Sequence, residues 1–236
     1  MTNTRLKKFV ETFKWIRANE IPFTKLNKPI AKCKVAIVTT GGVYENADIA
    51  FNIVNREDVD EGFREIKSTT EYTDLSIAHE HFNKQFSAVD LNVIFPVQRL
   101  KELVKQGFIN KVSEVNFSIT GFVPEPNHLF NTGKQIAQRI NELGVDITLI
   151  VPVWPICQQS GGLVARAIEK SGVPTVTFNL IKQIVSIIGI PRAINVKNPF
   201  GCTIGQPNNV ELQQQVIKEA LHFVNTATQP AEIKIL

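Results

Sequence analysis

Apolar residues in this chain fall into short unbroken runs separated by amphipathic stretches. The runs Cys33 to Thr40 (CKVAIVTT), Ile147 to Val153, Thr175 to Phe178 and 192–196 are bounded by turn-forming residues, which predicts buried strands. Residues 90–95 (DLNVIF) and Val115 to Gly121 read as further strands. Helical spacing predicts helices over 97–106, opening after Pro96, over 131–142, closing near Gly144, and over 161–170 and 209–225, with a short one near 180–187. At the start, Phe9, Val10, Phe13, Trp15 and Ile16 are interleaved with Arg5, Lys7, Lys8, Lys14 and Arg17. This pattern predicts an amphipathic helix over 4–19, broken by Ile21-Pro22. Val43 to Glu71 is charged and aperiodic, a long excursion of the kind that forms lids or binding loops. Strands alternating with helices predict an α/β fold, a doubly wound and mostly parallel sheet with helices on both faces. The expected organisation is an N-terminal helix and linker (1–32), one α/β domain (33–228) and a C-terminal tail (229–236).

At 236 residues, 43% hydrophobic and 20% charged, the chain has the size and balance of a globular domain. The net charge of +4 is mild, and its N-terminal cations belong to the solvated face of the first helix, so no nucleic-acid partner is expected. No run approaches the roughly 18 apolar residues of a membrane span, and the N-terminus lacks the apolar core of a secretory signal. Three scattered cysteines point to a reducing compartment, and the cytoplasm is expected.

The candidate chemistry gathers where the 147–153 strand gives way to a helix. Cys157 lies at that junction, at the sheet edge where open parallel sheets place their ligands. A helix start also lowers a thiol's pKa and so favours the nucleophilic thiolate; the alternative is a cysteine packed as a small hydrophobe. Trp154, Gln158 and Ser160 surround it as substrate contacts. Cys202, in NPFGCTIGQP, follows the 192–196 strand and is expected on the same edge, as a redox partner of Cys157 or as loop filling. Cys33 falls at the opposite edge and reads as packing. The turn Thr39-Thr40-Gly41-Gly42 resembles part of a phosphate-binding turn and is a candidate substrate cradle, with Arg64 as a carboxylate clamp or an ordinary surface arginine. In His79-Glu80-His81, one histidine is expected to contact substrate or act as acid or base and the other to sit in a solvated loop; His81 and Asp90 are the acid/base candidates, His79 the substrate contact. His128 and His222 read as structural. The spacing defines no metal site, and no cofactor is implied.

VAIVTTGGVY, EGFREI, the His-x-His-x-Asn stretch with DLNVIFPVQRL, NFSITGF, VPVWPICQQSGGLVARAIEKSGVPTV and PFGCTIGQP occur in an order that resembles the glycine/sarcosine/betaine and D-proline reductase selenoprotein B family, over roughly residues 33–222. The resemblance implies an α/β subunit of a reductase that cleaves a substrate C–N bond by selenol or thiol chemistry, usually beside a pyruvoyl-bearing subunit. It also implies a Sec-x-x-Cys arrangement in the loop where this chain has Trp154 and Cys157. Tryptophan cannot serve as the nucleophile, so this is a divergent member lacking selenocysteine, in which only Cys157 matches the motif. Cys202 lies where related sequences often have histidine.

Two functions follow as expectations. The first is a thiol-dependent reductase or lyase acting on a small carboxylate- or sulfur-containing molecule, with Cys157 as nucleophile and Cys202 as resolving thiol. The second is a non-redox ligand-binding or accessory subunit of a reductase complex. A two-cysteine racemase ranks behind both, because the chain lacks twofold halves. Expected partners are a small-molecule substrate, a second reductase subunit or thiol reductant protein, and further copies of the chain.

Overall fold

The computed structural model describes residues 3–53, 60–123, 127 and 129–236. His128 therefore lies outside the described residues. In chain order the elements are α1 (Asn3–Thr12), β1 (Lys34–Thr39), β2 (Val43–Glu45), β3 (Arg64–Lys67), β4 (Leu75–Ile77), α2 (Gln85–Val89), α3 (Val97–Lys105), β5 (Lys111–Val112), β6 (Val115–Ser118), α4 (Leu129–Glu142), β7 (Ile147–Val151), α5 (Pro155–Lys170), β8 (Thr175–Asn179), α6 (Val185–Ile188), β9 (Arg192–Asn195), α7 (Val210–Thr226) and β10 (Glu232–Ile235).

Eight strands form one sheet in the order β10-β9-β8-β7-β1-β6-β3, with β5 also on β1. Every pairing is parallel except that of β3 with β6. β1 aligns with β7 from Val35 opposite Ile147 to Thr39 opposite Val151. Alternation along β1 sends its side chains to two cores. Val35 and Ile37 join Leu100 and Leu103 of α3 and Ile217 and Leu221 of α7, while Ala36 and Val38 join Ile136 and Ile140 of α4 and Val164 and Ile168 of α5. The fold is α/β, with helices covering both faces.

From β1 the sheet grows one way through β6 and the other way through β7. The connections leaving the carboxyl ends of β1 and β7 therefore diverge, which opens the crevice where doubly wound sheets bind their ligands.

Three expectations are corrected. The first helix stops at Thr12, not residue 19. Beyond it the chain folds back: the Phe9, Phe13 and Trp15 rings pack together, and Trp15 Nε1 donates to the Val10 carbonyl at 2.8 Å. Ile16 N–H then leaves the helical pattern for Gln159 Oε1 of α5, 2.7 Å away. Residues 90–95 form no strand; the Asp90 carboxylate accepts from Asn92 N–H at 3.0 Å and caps a 3-10 turn at Leu91–Val93. Within 229–236, expected as a tail, Glu232–Ile235 is the edge strand β10 on β9.

The segment between α1 and β1 is tied down by a buried ion pair. Glu169 and Arg192 pair with both side chains fully buried. Glu169 also accepts from Thr24 N–H at 2.6 Å and Thr175 N–H at 2.6 Å, and Arg192 donates to the Thr24 carbonyl and lies over the Phe23 ring. Burial raises the Glu169 pKa and lowers that of Arg192.

Candidate active site

Trp154 is extended at the N-cap of α5 and Pro155 opens the helix, which suits a residue with no N–H to leave unpaired. Cys157 thus lies in the first turn of α5, just past the carboxyl end of β7. Its side chain is fully buried. His79 Nε2 lies 3.1 Å from its sulfur. The Thr40 hydroxyl and the main-chain N–H groups of Trp154, Val153 and Cys157 also bear on the sulfur and favour its thiolate. Burial outweighs them and pushes the thiol up to about 12. The thiol lowered by a helix start, as expected from sequence, is therefore not found: dehydration costs more than the helix start returns.

His79 is held by its own neighbours. It follows β4, where Ala78 N–H donates to the Gly42 carbonyl at 2.9 Å, and its ring packs edge-on against Phe82. His81 N–H donates to His79 Nδ1 at 3.1 Å. Burial, and then the nearby His81 and Lys84, push the His79 pKa down to about 3, so the ring is neutral. A neutral ring that accepts at Nδ1 carries its proton on Nε2. His79 therefore donates to the cysteine sulfur.

Two glycines permit this contact. Gly42 has φ +63°, and a Cβ there would stand 2.9 Å from His79 N. Gly121, at φ +64°, roofs the thiol: a Cβ would lie 2.5 Å from Thr40 Cβ and 3.0 Å from Cys157 Sγ. Ser160 secures this roof by donating to the Gly121 carbonyl at 2.6 Å. Sequence reasoning missed Gly121, whose one signal was its position after a strand.

The other sequence candidates divide between the site and its surroundings. Thr40 Oγ1 accepts from Val153 N–H at 3.1 Å, and Thr39 Oγ1 accepts from Gly41 N–H at 3.1 Å, so the Thr39–Gly42 turn is built into the crevice. Gln158 is buried, its Oε1 accepting from Leu180 N–H at 3.2 Å. Trp154 is half-buried and meets Phe200 edge-on. The Cys202 loop reaches the same edge, since Gly201 N–H donates to the Val153 carbonyl at 2.9 Å and Thr203 Oγ1 to that of Pro152 at 2.7 Å. The Cys202 thiol, however, donates within its own loop to the Gly205 carbonyl at 2.9 Å, and burial pushes its pKa up to about 11. All three cysteines are free, and Cys33, also buried, donates to the Pro29 carbonyl.

His81, expected as acid or base, stacks on Phe122 with ring centroids 3.6 Å apart, and its main-chain N–H meets His79. Asp90 is spent on four donors, from Asn92 N and Nδ2, Asn208 N and Gln213 Nε2, and these hold its pKa low against burial. Arg64, expected as a carboxylate clamp or an ordinary surface arginine, binds Asp60, the carbonyls of Ile49, Ala50 and Phe63, and the face of Phe51. His222 is exposed against Phe108. Among the described residues no three His, Cys, Asp or Glu side chains are grouped to hold a metal ion, and no helix is long and apolar enough to cross a membrane.

Fold and site together define an open-sheet α/β protein with a buried thiol–imidazole pair at its switch point. The family model for glycine/sarcosine/betaine reductase selenoprotein B matches residues 3–152. The chain is 32% identical over 200 residues to the D-proline reductase subunit gamma of Acetoanaerobium sticklandii, covering 84% of this chain and 81% of that one. It is 23% identical to the sarcosine reductase complex component B subunit beta of Peptoclostridium acidaminophilum and 24% identical to the glycine reductase complex component B subunit gamma of Peptoclostridium litorale. It covers 49% and 46% of those two, about half their length. No solved structure matches. The chain belongs to the glycine/sarcosine/betaine reductase selenoprotein B family.

Proposed function

We propose that this chain is a subunit of a glycine- or D-proline-reductase-type enzyme in which Cys157 is the reacting sulfur. The contact of His79 Nε2 with Cys157 Sγ at 3.1 Å in the switch-point crevice carries the reading. The substrate is a small carboxylate with an amine or sulfur leaving group, bound against the Thr39–Gly42 turn, Trp154 and Gln158. The sulfur attacks the carbon bearing the amine, the C–S bond forms as the C–N bond breaks, and the thiol proton leaves on the amine. A dithiol protein then supplies two electrons and two protons. The C–S bond breaks, carbon and sulfur each take a hydrogen, and the dithiol closes to a disulfide. His79 stays neutral and stabilises charge on the sulfur by donating to it. A second reductase subunit completes the assembly, in the reducing cytoplasm and in more than one copy.

A second reading, an accessory subunit that binds a ligand without redox chemistry, is favoured by the complete burial of Cys157 and its thiol pKa of about 12. The two are separated by turnover on D-proline, sarcosine, glycine and betaine with dithiothreitol as electron source, in the presence of the partner subunit. Loss of turnover in Cys157→Ser, with an unchanged circular dichroism spectrum, supports the enzyme. Unchanged turnover removes Cys157 from the mechanism, and the absence of turnover in the native assembly favours the accessory role.

A further inference from the structure

Away from the thiol, a cavity of about 660 Å³ lies between the β4–α2 region, α3 and the start of α7, within the size range of small-molecule sites. Tyr72, Ile77, Lys84, Val89, Arg99 and Val210 line it. Arg99 decides its character. The residue is 7% exposed, and its Nε and Nη1 are buried without a hydrogen-bond partner among the described residues. Its single ion pair there is through Nη2 to Glu102, at 3.0 Å. These two donors have almost no accessible surface of their own, so an anion in the cavity takes them only as the guanidinium turns toward it; until then a buried guanidinium with unpaired donors is costly.

The nearest wall acid cannot do so. Asp90 also lines the cavity, but its four donors occupy it. Lys84 adds a second cation, holding the Ile77 carbonyl with one of its three donors at 3.1 Å. Val89 and Val210, exposed at 63% and 41%, give the cavity an apolar wall beside these charges. Two cations, one buried and under-satisfied, against an apolar wall fit a compact anion with a hydrocarbon body.

We infer that this cavity binds a small monocarboxylate through Arg99 and Lys84, at a site separate from the thiol. None of Thr40, His79, Gly121 or Cys157 lines it. The 3-10 turn Leu91–Val93 joins the two regions: Leu91 and Asn92 line the cavity, and the adjoining Ile94 packs toward Gly41 of the substrate turn.

Binding is read on the full chain from the Arg99 Nε–H resonance in nitrogen-15 NMR, titrating acetate, glycine and D-proline, with methylammonium and inorganic phosphate for comparison. A saturable downfield shift with a carboxylate and none with methylammonium is expected. Arg99→Gln is expected to weaken binding at least about tenfold, read from neighbouring amides. Val210→Trp, on an exposed helix start and safe for folding, is expected to weaken it similarly by filling the cavity. Cys157→Ser is expected to bind as the native chain does, so loss of the proposed thiol chemistry would leave this result standing. No saturable shift, undiminished binding in both cavity variants, phosphate binding tighter than every carboxylate, or shifts centred on His79 instead would each overturn the assignment.

Discussion

His79 donates its Nε2 proton to the Cys157 sulfur, and it does so because His81 N–H occupies Nδ1. A cysteine–histidine pair in which the ring takes the thiol proton would need both ring nitrogens protonated, and His81 N–H would then face another donor. The pair is therefore built to cradle negative charge on sulfur without itself becoming positive. His79→Ala is expected to slow Cys157 alkylation at every pH, whereas His79→Gln, whose amide can still donate, recovers part of the rate. Faster alkylation in the alanine variant would show that the ring suppresses the thiol.

A buried neutral histidine also sets an acid limit on stability. The His79 pKa lies near 3 in the folded chain against an ordinary 6.5, so between those values the unfolded chain binds the extra proton. Its contribution is complete above pH 6.5 and falls as the pH drops, by at most about 1.4 kcal/mol per pH unit. Urea titrations from pH 7 to 4 on the native chain and on His79→Gln test this, the variant showing the shallower dependence. Cys157 acts on the alkaline side: with its thiol near 12 against an ordinary 9, stability declines as the pH rises above 9.

Gly121→Ala is expected to cost about 2–4 kcal/mol, combining a left-handed backbone with a methyl forced into Thr40 and the Cys157 sulfur. Thermal unfolding measures it. Gly107→Ala is the control, since it shares a positive φ but has nothing within 4 Å of the added carbon. Equal losses in the two would mean that the roof over the thiol is loosely packed.

Arg192→Leu leaves Glu169 buried without its cation and is expected to cost about 3–5 kcal/mol. Because Arg192 also holds the Thr24 carbonyl, limited proteolysis should cut the variant in the linker before β1 and leave the native chain intact there. Retained protection of that linker would place its anchorage elsewhere.

The strands β1, β7, β8 and β9 were legible because each is a dense apolar run bounded by turn residues, and their order was enough to place Cys157 at the switch point. The identity of its partner was not. His79 and His81 lie two apart in a segment without periodicity, and only the antiparallel pairing of β2 with β4 decides which ring turns inward. Arg64 read equally as a clamp or a surface arginine because nothing local shows that Asp60, four residues earlier, takes its guanidinium. The long first helix failed for a related reason: Phe13, Trp15 and Ile16 continue an apolar pattern, but aromatic self-packing and a distant glutamine redirect the backbone. The thiol's pKa was misjudged because a helix start can be seen in a sequence and the depth of burial cannot.

A sulfur with no solvent-facing surface beneath a glycine lid turns reagents into clocks. At modest concentration an alkylating agent must wait on the population of opened molecules, and its rate scales with dose. At high dose the rate levels off at the speed of the opening itself. The plateau would give the tempo at which this crevice breathes, and a partner that pries it open would be recognised by raising that ceiling rather than by changing the sulfur.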